Sequence, residues 1–186
     1  MSNSPEQSGN STSAPAQAPV SGHDGPYSAP VEIGQQSVLP EWIDYNGHMN
    51  VGYYGIAFDL ASDVFLSHHL GIGEEHVEAT GQGPFVLQVH QHYLKEMRLG
   101  EVFQVHFRLI DHDAKRLHLF GEMVSMDTGA ITATQEVMVM NVDHNTGRSA
   151  PYPDWAIRRF TRMKADHAGL PGLAQLGAGL GIRRVK

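Results

Sequence analysis

A single helix-patterned segment, residues 53–68, restricts the folds that this chain can adopt. Apolar side chains recur along it as one continuous helical face, and Asp59 and Asp63 are its only acidic or basic residues apart from histidine. A helix with so little charge must be covered over most of its surface by other parts of the protein. Asn50 suits the N-cap of this helix, and Gly71 suits its end.

Four segments typical of β-strands follow the helix. They are Phe85–Leu94, Val102–Ile110, Arg116–Met126 and Ile131–Val142. The short breaks between them favour consecutive antiparallel strands joined by hairpins. A further strand is predicted over Val31–Leu39, before Pro40. This order of elements predicts an α+β fold in which one face of an antiparallel sheet covers the helix.

Both ends of the chain differ in composition from this central region. Residues 1–29 are rich in Ser, Pro, Gly, Ala and Gln, which predicts a disordered tail without the basic start and apolar stretch of a secretory signal. We place the folded domain at residues 30–155 and a C-terminal arm or tail at residues 156–186. Pro151–Lys164 is predicted as a short basic helix or an extended arm, and residues 168–182 as a docked or loose tail.

Charge is distributed unevenly along the chain. Residues 1–94 contain ten acidic residues and no Lys or Arg, whereas residues 95–186 contain ten acidic and thirteen basic residues. Half a chain without a base disfavours nucleic acid as a partner. The distribution suits a ligand with a cationic end and a polyphosphate end, although folding can also mix these charges on the surface.

Two absences narrow the function further. No apolar run reaches the length of a membrane helix, so no membrane partner is expected. The chain has no cysteine, which excludes disulfides, thiolate metal sites and a cysteine nucleophile. Both observations are compatible with the cytoplasmic location that we predict.

The loop before the helix combines groups that carry chemistry. In WIDYNGHMNVGYY, residues 42–54, Asp44 precedes a turn-forming run, and the simplest interpretation is an Asx-turn made by its side chain. The N–H groups that follow Asn50 at the helix start lack intrahelical partners and point outward with a positive dipole. An acid beside such groups is also a minimal acyl-transfer site, with a base or nucleophile and polarisation of a carbonyl. Spacing alone leaves both interpretations open.

The segment Asp44-Tyr45-Asn46-Gly47-His48-Met49-Asn50, followed by Tyr53-Tyr54, resembles the D-x-x-G-H-x-N-x-x-Y signature of hotdog-fold acyl-CoA thioesterases. The likeness is to their 4-hydroxybenzoyl-CoA thioesterase-like branch and covers about residues 31–155. The stretches WIDYNGHMNVGYYGIAFDLASD, YLKEMRLGE, DAKRLHLF and VDHNTGRSAPYP also resemble the thioesterases of bacterial carnitine breakdown, some of which are fused to carnitine dehydrogenase.

This resemblance implies both a fold and an activity. The implied hotdog fold is an antiparallel sheet wrapped around one long central helix. The implied reaction is hydrolysis of a short acyl-CoA thioester, with betainyl-CoA as the leading substrate and glycine betaine and CoA as products. No metal or separate cofactor is expected, because a thioester is already activated and CoA is part of the substrate.

The resemblance also implies roles for individual residues. Asp44 matches the catalytic carboxylate, as nucleophile or as general base for water, and the backbone amide of Val51 matches the group that polarises the thioester carbonyl. Asn50 is grouped with them as a helix cap close to the thioester. The positions expected to contact substrate are Trp42, Tyr45, Gly47, His48, Tyr53 and Tyr54. Gly47 permits close approach of backbone and ligand, whereas His48 fits either packing of the loop or contact with the acyl group.

Some residues have competing interpretations. Some hotdog thioesterases carry their acid on the helix, so Asp63, with Asp59 nearby, is a second candidate for the catalyst or for a ligand of a cationic acyl group. Trp42 and Tyr45 are candidates for an aromatic cage around a quaternary ammonium, although aromatic residues beside a buried helix usually belong to the core. The twelve histidines show no spacing typical of a metal site. The bases that are candidates for contacting the CoA phosphates are Lys95, Arg98, Lys115, Arg116 and Arg148.

The resemblance implies a homodimer or homotetramer with the active site between subunits, since one copy leaves a sheet edge open. Two other functions are kept as alternatives. One is a generic short-chain or aromatic acyl-CoA thioesterase, and the other is a non-catalytic hotdog protein that binds an acyl-CoA or a partner protein. Asp44 argues against the second, because a pure binder does not need that acid.

Overall fold

The computed structural model describes residues 21–181. Its strands are β1 (Val31–Glu32), β2 (Gln36–Ser37), β3 (Gln82–Tyr93), β4 (Val102–His112), β5 (Arg116–Ser125), β6 (Ile131–Asp143) and β7 (Arg148–Ser149). Its helices are α1 (Val51–Val64), which continues as a π-helix over Phe65–Leu70, then α2 (Glu74–Thr80) and α3 (Asp154–His167), with a short 3₁₀ helix at Pro40–Trp42. The predicted α+β class is confirmed.

The strands form one antiparallel sheet in the order β1-β4-β5-β6-β3, with β2 paired to β4 and β7 paired to β6. The prediction of consecutive hairpins is correct for β4, β5 and β6 but wrong for β3, which pairs with β6 and not with β4. Residues 94–101 therefore cross from one side of the sheet to the other. This crossing segment passes the loop before α1, where the Met97 carbonyl accepts the N–H of Met49 at 2.8 Å.

The helix α1 packs against the inner face of the sheet. Along β4 the buried residues alternate with partly exposed ones, as predicted for a half-buried strand. Phe107 is one of these buried residues. Its ring centre lies 5.0 Å from that of Phe65, which is fully buried at the end of α1. α1 begins at Val51, two residues before the predicted start, because the Asn50 side chain accepts the N–H of Gly52 at 3.0 Å and confirms the predicted N-cap.

Gly121, on β5, allows α1 to approach the sheet. A Cβ atom at this position would lie 3.0 Å from Cε1 of both Phe58 and Phe107, which are fully buried. We expect Gly121→Val to lower the free energy of unfolding by about 1–3 kcal/mol through overpacking, as measured by urea denaturation. Gly34→Val is the matched control, because a Cβ at Gly34 meets nothing within 4 Å. Equal losses at the two positions would contradict the proposed clash.

Residues 21–29 are packed onto α3, although the sequence predicts a disordered tail up to residue 29. The N–H of Tyr27 donates to Asp166 Oδ2 at 2.9 Å, and the buried Arg159 donates from Nε to Asp24 Oδ1 at 2.8 Å. The folded part therefore starts before the predicted boundary, because its anchors lie on a distant helix that local composition does not reveal. The remainder of the predicted tail, residues 1–20, lies outside the described residues.

The C-terminal region also belongs to the folded unit. The helix alternative for Pro151–Lys164 is confirmed by α3, which continues to His167. The helix is tied to the sheet, because the N–H of Leu109 on β4 donates to His167 Nδ1 at 3.1 Å. The predicted boundary after residue 155 therefore falls inside a packed helix. Beyond α3 the chain docks on the sheet, since Arg108 donates to the Pro171 carbonyl at 2.7 Å. Residues 182–186 lie outside the described part.

Candidate active site

The loop of residues 42–50 folds back on itself, so that its two ends lie side by side. Ile43 pairs with Met49 across the loop. The N–H of Asp44 donates to the His48 carbonyl at 3.0 Å, and the N–H of Asn50 donates to the Trp42 carbonyl at 2.8 Å. Gly47 supplies the φ of 78° that closes the turn. Asp44 is thereby held in a closed loop that leads directly into α1.

The carboxylate of Asp44 is oriented by its own turn. Its Oδ1 accepts the N–H of Asn46 at 2.8 Å, which is the Asx-turn that the sequence suggested. Within residues 21–181 no hydrogen bond occupies the other oxygen, Oδ2. The turn therefore fixes the direction of the carboxylate and leaves one oxygen available to a substrate or a water.

The first turn of α1 offers one backbone donor. The cap uses the N–H of Gly52, and the N–H of Tyr53 donates to the Asn50 carbonyl at 3.0 Å. Val51 is 57% exposed, and its N–H has no acceptor among the described residues. A free N–H at the positive end of a helix dipole is suited to receive a carbonyl oxygen that gains negative charge.

The four aromatic residues predicted to contact substrate lie in different environments. Trp42 is 7% exposed and stacks on Tyr53 with ring centres 5.7 Å apart, whereas Tyr45 is 98% exposed. Tyr54 is buried, and this burial raises the pKa of its hydroxyl. Within one copy Trp42 and Tyr45 do not form a common cage, because Trp42 is covered and Tyr45 projects into solvent. A contact of each residue with substrate stays a prediction.

His48 connects the loop to the crossing segment. Its Nε2 lies 3.1 Å from Glu96 Oε2, and Glu96 also accepts from Arg98 at 2.9 Å. The geometry favours the packing role that was one of the two predictions for His48.

The five candidate bases for the CoA phosphates divide into two groups. Lys95 and Arg98 lie in the crossing segment. This segment contacts the loop through Glu96, and it contacts α1 through the hydroxyl of Tyr54, which lies 3.4 Å from the Lys95 carbonyl. Lys115, Arg116 and Arg148 lie at or beyond the far ends of strands that are ten or more residues long. A strand of this length spans about 30 Å, so only the first group lies at the loop end of the sheet.

A groove of about 530 Å³ runs along α1 between the helix and strands β3 and β6. Its helix wall contains Gly52, Gly55, Ile56, Asp59, Ser62, Asp63 and Leu66. Its sheet wall contains Pro84, Val86, Val89, Gln91, Leu119, Gln135, Val137 and Val139. The groove begins at Gly52, next to the free N–H of Val51, so an acyl chain can enter it from a thioester bound there.

Gln91 and Gln135 are groove residues that the sequence did not reveal. Each lies on a strand, and neither belongs to a recognisable motif. One available signal was Gln135 itself, an amide at an inward position of β6 where the alternation predicts an apolar side chain. The other was the Gly52 and Gly55 pair, which removes two side chains from one face of α1.

The histidines do not form a metal site in the described part of the chain. Across residues 21–181, no three or more His, Asp or Glu side chains are arranged to hold a metal ion. The rings of His90 and His92 on β3 lie 6.4 Å apart, edge to face. In the same range no helix is both long enough and apolar enough to cross a membrane.

Comparison with known proteins decides the family. The model of the thioesterase-like superfamily matches residues 38–160, which include the loop, α1 and the four long strands. The chain belongs to this superfamily. It is 32% identical over 149 residues to the betainyl-CoA thioesterase of Pseudomonas aeruginosa, and the match covers 80% of this chain and 93% of that protein.

Two further relatives support the same assignment. The chain is 31% identical over 157 residues to an L-carnitine dehydrogenase/betainyl-CoA thioesterase of Rhizobium meliloti, covering 84% of this chain and 31% of that longer protein. A hypothetical protein from Staphylococcus aureus, solved in complex with CoA, superposes with a TM-score of 0.75 at 31% identity. That superposition covers 86% of this chain and 100% of the other. The predicted resemblance and the hotdog fold are therefore confirmed.

Proposed function

We propose that this protein is an acyl-CoA thioesterase that hydrolyses betainyl-CoA to glycine betaine and CoA. The observation that carries the thioester chemistry is the free N–H of Val51 at the start of α1, reached through the same closed loop that orients the carboxylate of Asp44. The choice of acyl group is supported by the names of the relatives in Pseudomonas aeruginosa and Rhizobium meliloti.

The reaction needs two groups from this chain. The Val51 N–H donates to the thioester carbonyl oxygen and stabilises the negative charge that develops there. The Asp44 carboxylate either attacks the carbonyl carbon, forming an anhydride that water then cleaves, or removes a proton from an attacking water. In both routes the carbon–sulfur bond breaks, CoA leaves as the thiolate, and one water is consumed.

The CoA phosphates are assigned to the loop end of the sheet. Lys95 and Arg98 are the two candidate bases in the crossing segment, next to the loop that holds Asp44. Arg98 forms an ion pair with Glu96 at 2.9 Å, whereas Lys95 forms no ion pair with any residue in the range 21–181. Lys95 is therefore the base that we propose for the first phosphate contact.

We further propose that the active form is a homodimer. β3 is an edge strand with exposed apolar side chains, and it borders an exposed apolar stripe on α1. A long exposed edge strand with apolar side chains pairs readily with another chain. A second copy over β3 also closes the groove from water. A homotetramer and a cytoplasmic location stay predictions.

Thiol release from acetyl-, butyryl-, benzoyl- and betainyl-CoA tests the proposed function. We expect kcat/KM for betainyl-CoA to exceed the values for the other three esters by about tenfold or more. Faster cleavage of butyryl- or benzoyl-CoA would favour the generic thioesterase. Cleavage of none of the four would favour the non-catalytic binding protein.

A further inference from the structure

The groove beside α1 has an acidic part that hydrolysis by Asp44 and Val51 does not use. Asp59 and Asp63 both line it, and within residues 21–181 neither forms an ion pair. Burial, followed by the carboxylates of Asp59 and Glu74, raises the pKa of Asp63. Like charges one helical turn apart destabilise a helix. The fold therefore keeps an uncompensated negative charge beside an apolar cavity.

Two carboxamides in the same groove lack partners. Gln135 is 9% exposed and belongs to the groove wall, yet its side chain makes no hydrogen bond to any residue in the described range. The Nε2 atom of Gln91 is buried without a partner, and its Oε1 lies 3.9 Å from the Cβ position at Gly55. Buried polar groups without partners cost free energy. Their presence on the wall of an open groove points to a ligand that the groove binds.

We propose that Asp59 selects a cationic acyl group by holding its quaternary ammonium in this groove, with Asp63 strengthening the negative field. The inference rests on the proposed thioesterase function and adds the residue that recognises the positive charge of the acyl group. It differs from the aromatic cage of Trp42 and Tyr45, which one copy does not assemble.

The spacing along α1 fits a short cationic acyl group. Asp59 lies eight residues beyond Val51, about 12 Å along the helix axis, and helical side chains lean back toward the N-terminus. The carbonyl oxygen is expected about 3 Å from the Val51 nitrogen, and the ammonium nitrogen lies two bonds past the carbonyl carbon. This places the ammonium at about 4 Å from the Asp59 carboxylate, which is the distance of an ionic contact. Asp63 lies one turn further, about 6 Å beyond this position.

Gly52 and Gly55 provide the space that a trimethylammonium group needs. Both glycines face the groove between Val51 and Asp59. A Cβ at Gly55 would have only the Oε1 atom of Gln91 within 4 Å, so the open volume at this position is created by the missing side chain. A neutral group of the same shape would fit the same space, so the charge of Asp59 is what distinguishes the two.

A pair of isosteric substrates tests the role of Asp59. 3,3-Dimethylbutyryl-CoA has the shape of betainyl-CoA, with a carbon in place of the charged nitrogen. We expect Asp59→Asn to lower kcat/KM for betainyl-CoA by about tenfold or more and to change the value for the neutral ester by less than about twofold. Asp63→Asn is the matched control one turn away, with an expected loss on betainyl-CoA of about twofold to threefold.

The outcomes separate this inference from the proposed function. An equal loss on both esters in Asp59→Asn would overturn it, because Asp59 would then act in catalysis or in packing rather than in reading charge. If the wild type cleaves neither ester, the proposed function fails, and calorimetric binding of the two esters decides the inference. A wild-type preference for betainyl-CoA that Asp59→Asn removes supports the inference, whereas equal binding of both esters by the wild type overturns it.

Discussion

Replacing Asp44 by asparagine is expected to lower kcat by about 10³-fold or more while the fold stays intact. The new amide oxygen can still accept the N–H of Asn46, which Asp44 Oδ1 accepts at 2.8 Å, so the Asx-turn persists. The variant loses only the negative charge, which both the anhydride route and the water route require. The measurement is the rate of thiol release at saturating betainyl-CoA, with the thermal midpoint recorded in parallel.

Asp44→Ala is the matched control for the turn. It removes the turn acceptor as well as the charge, so we expect the same loss of kcat with a lower thermal midpoint. If Asp44→Asn retained a tenth or more of the wild-type rate, Asp44 would be excluded as the catalyst. A tenfold loss raises the activation free energy by only about 1.4 kcal/mol. The carboxylates of α1, Asp59 and Asp63, would then become the candidates.

The elements that the sequence predicted correctly are those with local signals. α1 is marked by its helical spacing and by the Asn50 cap, and β4, β5 and β6 are marked by alternation and short turns. The position of β3 is different, because its pairing with β6 depends on contacts between residues about fifty positions apart. The same limit explains residues 21–29, whose partners on α3 lie 135 or more positions away.

The candidate site shows the same division. The Asx-turn at Asp44 and the free N–H of Val51 follow from the residues of one loop, so the sequence was sufficient to suggest them. The environments of Trp42 and Tyr45 depend on which side of the loop packs on α1, which a motif does not specify. The groove requires β3 and β6 to meet one face of α1, so the part played by Gln135 emerges only in three dimensions.

Leu60→Lys is expected to convert the proposed homodimer into a monomer and to reduce activity by about 10²-fold. α1 has a core face, a groove face and a third face that contains the exposed residues Leu60 and Val64, with Ile56 at the border between the groove and this third face. Leu60 and Val64 give this third face no charge, and an exposed apolar face of a helix is normally covered by another surface. Leu60 is 51% exposed and does not line the groove, so a lysine there disturbs the third face alone.

The wild type and the variant are separated by size-exclusion chromatography. Light scattering then measures the molecular mass of the eluted protein, and thiol release measures the activity of the same fractions. Leu180→Lys makes the same chemical change at a fully exposed residue of the docked C-terminal segment, and it is expected to leave mass and activity unchanged. A Leu60→Lys protein that stays dimeric with wild-type activity would place the interface elsewhere. A monomeric variant with full activity would show that one copy holds the complete site, because the groove would then bind the acyl group without being closed by a second copy.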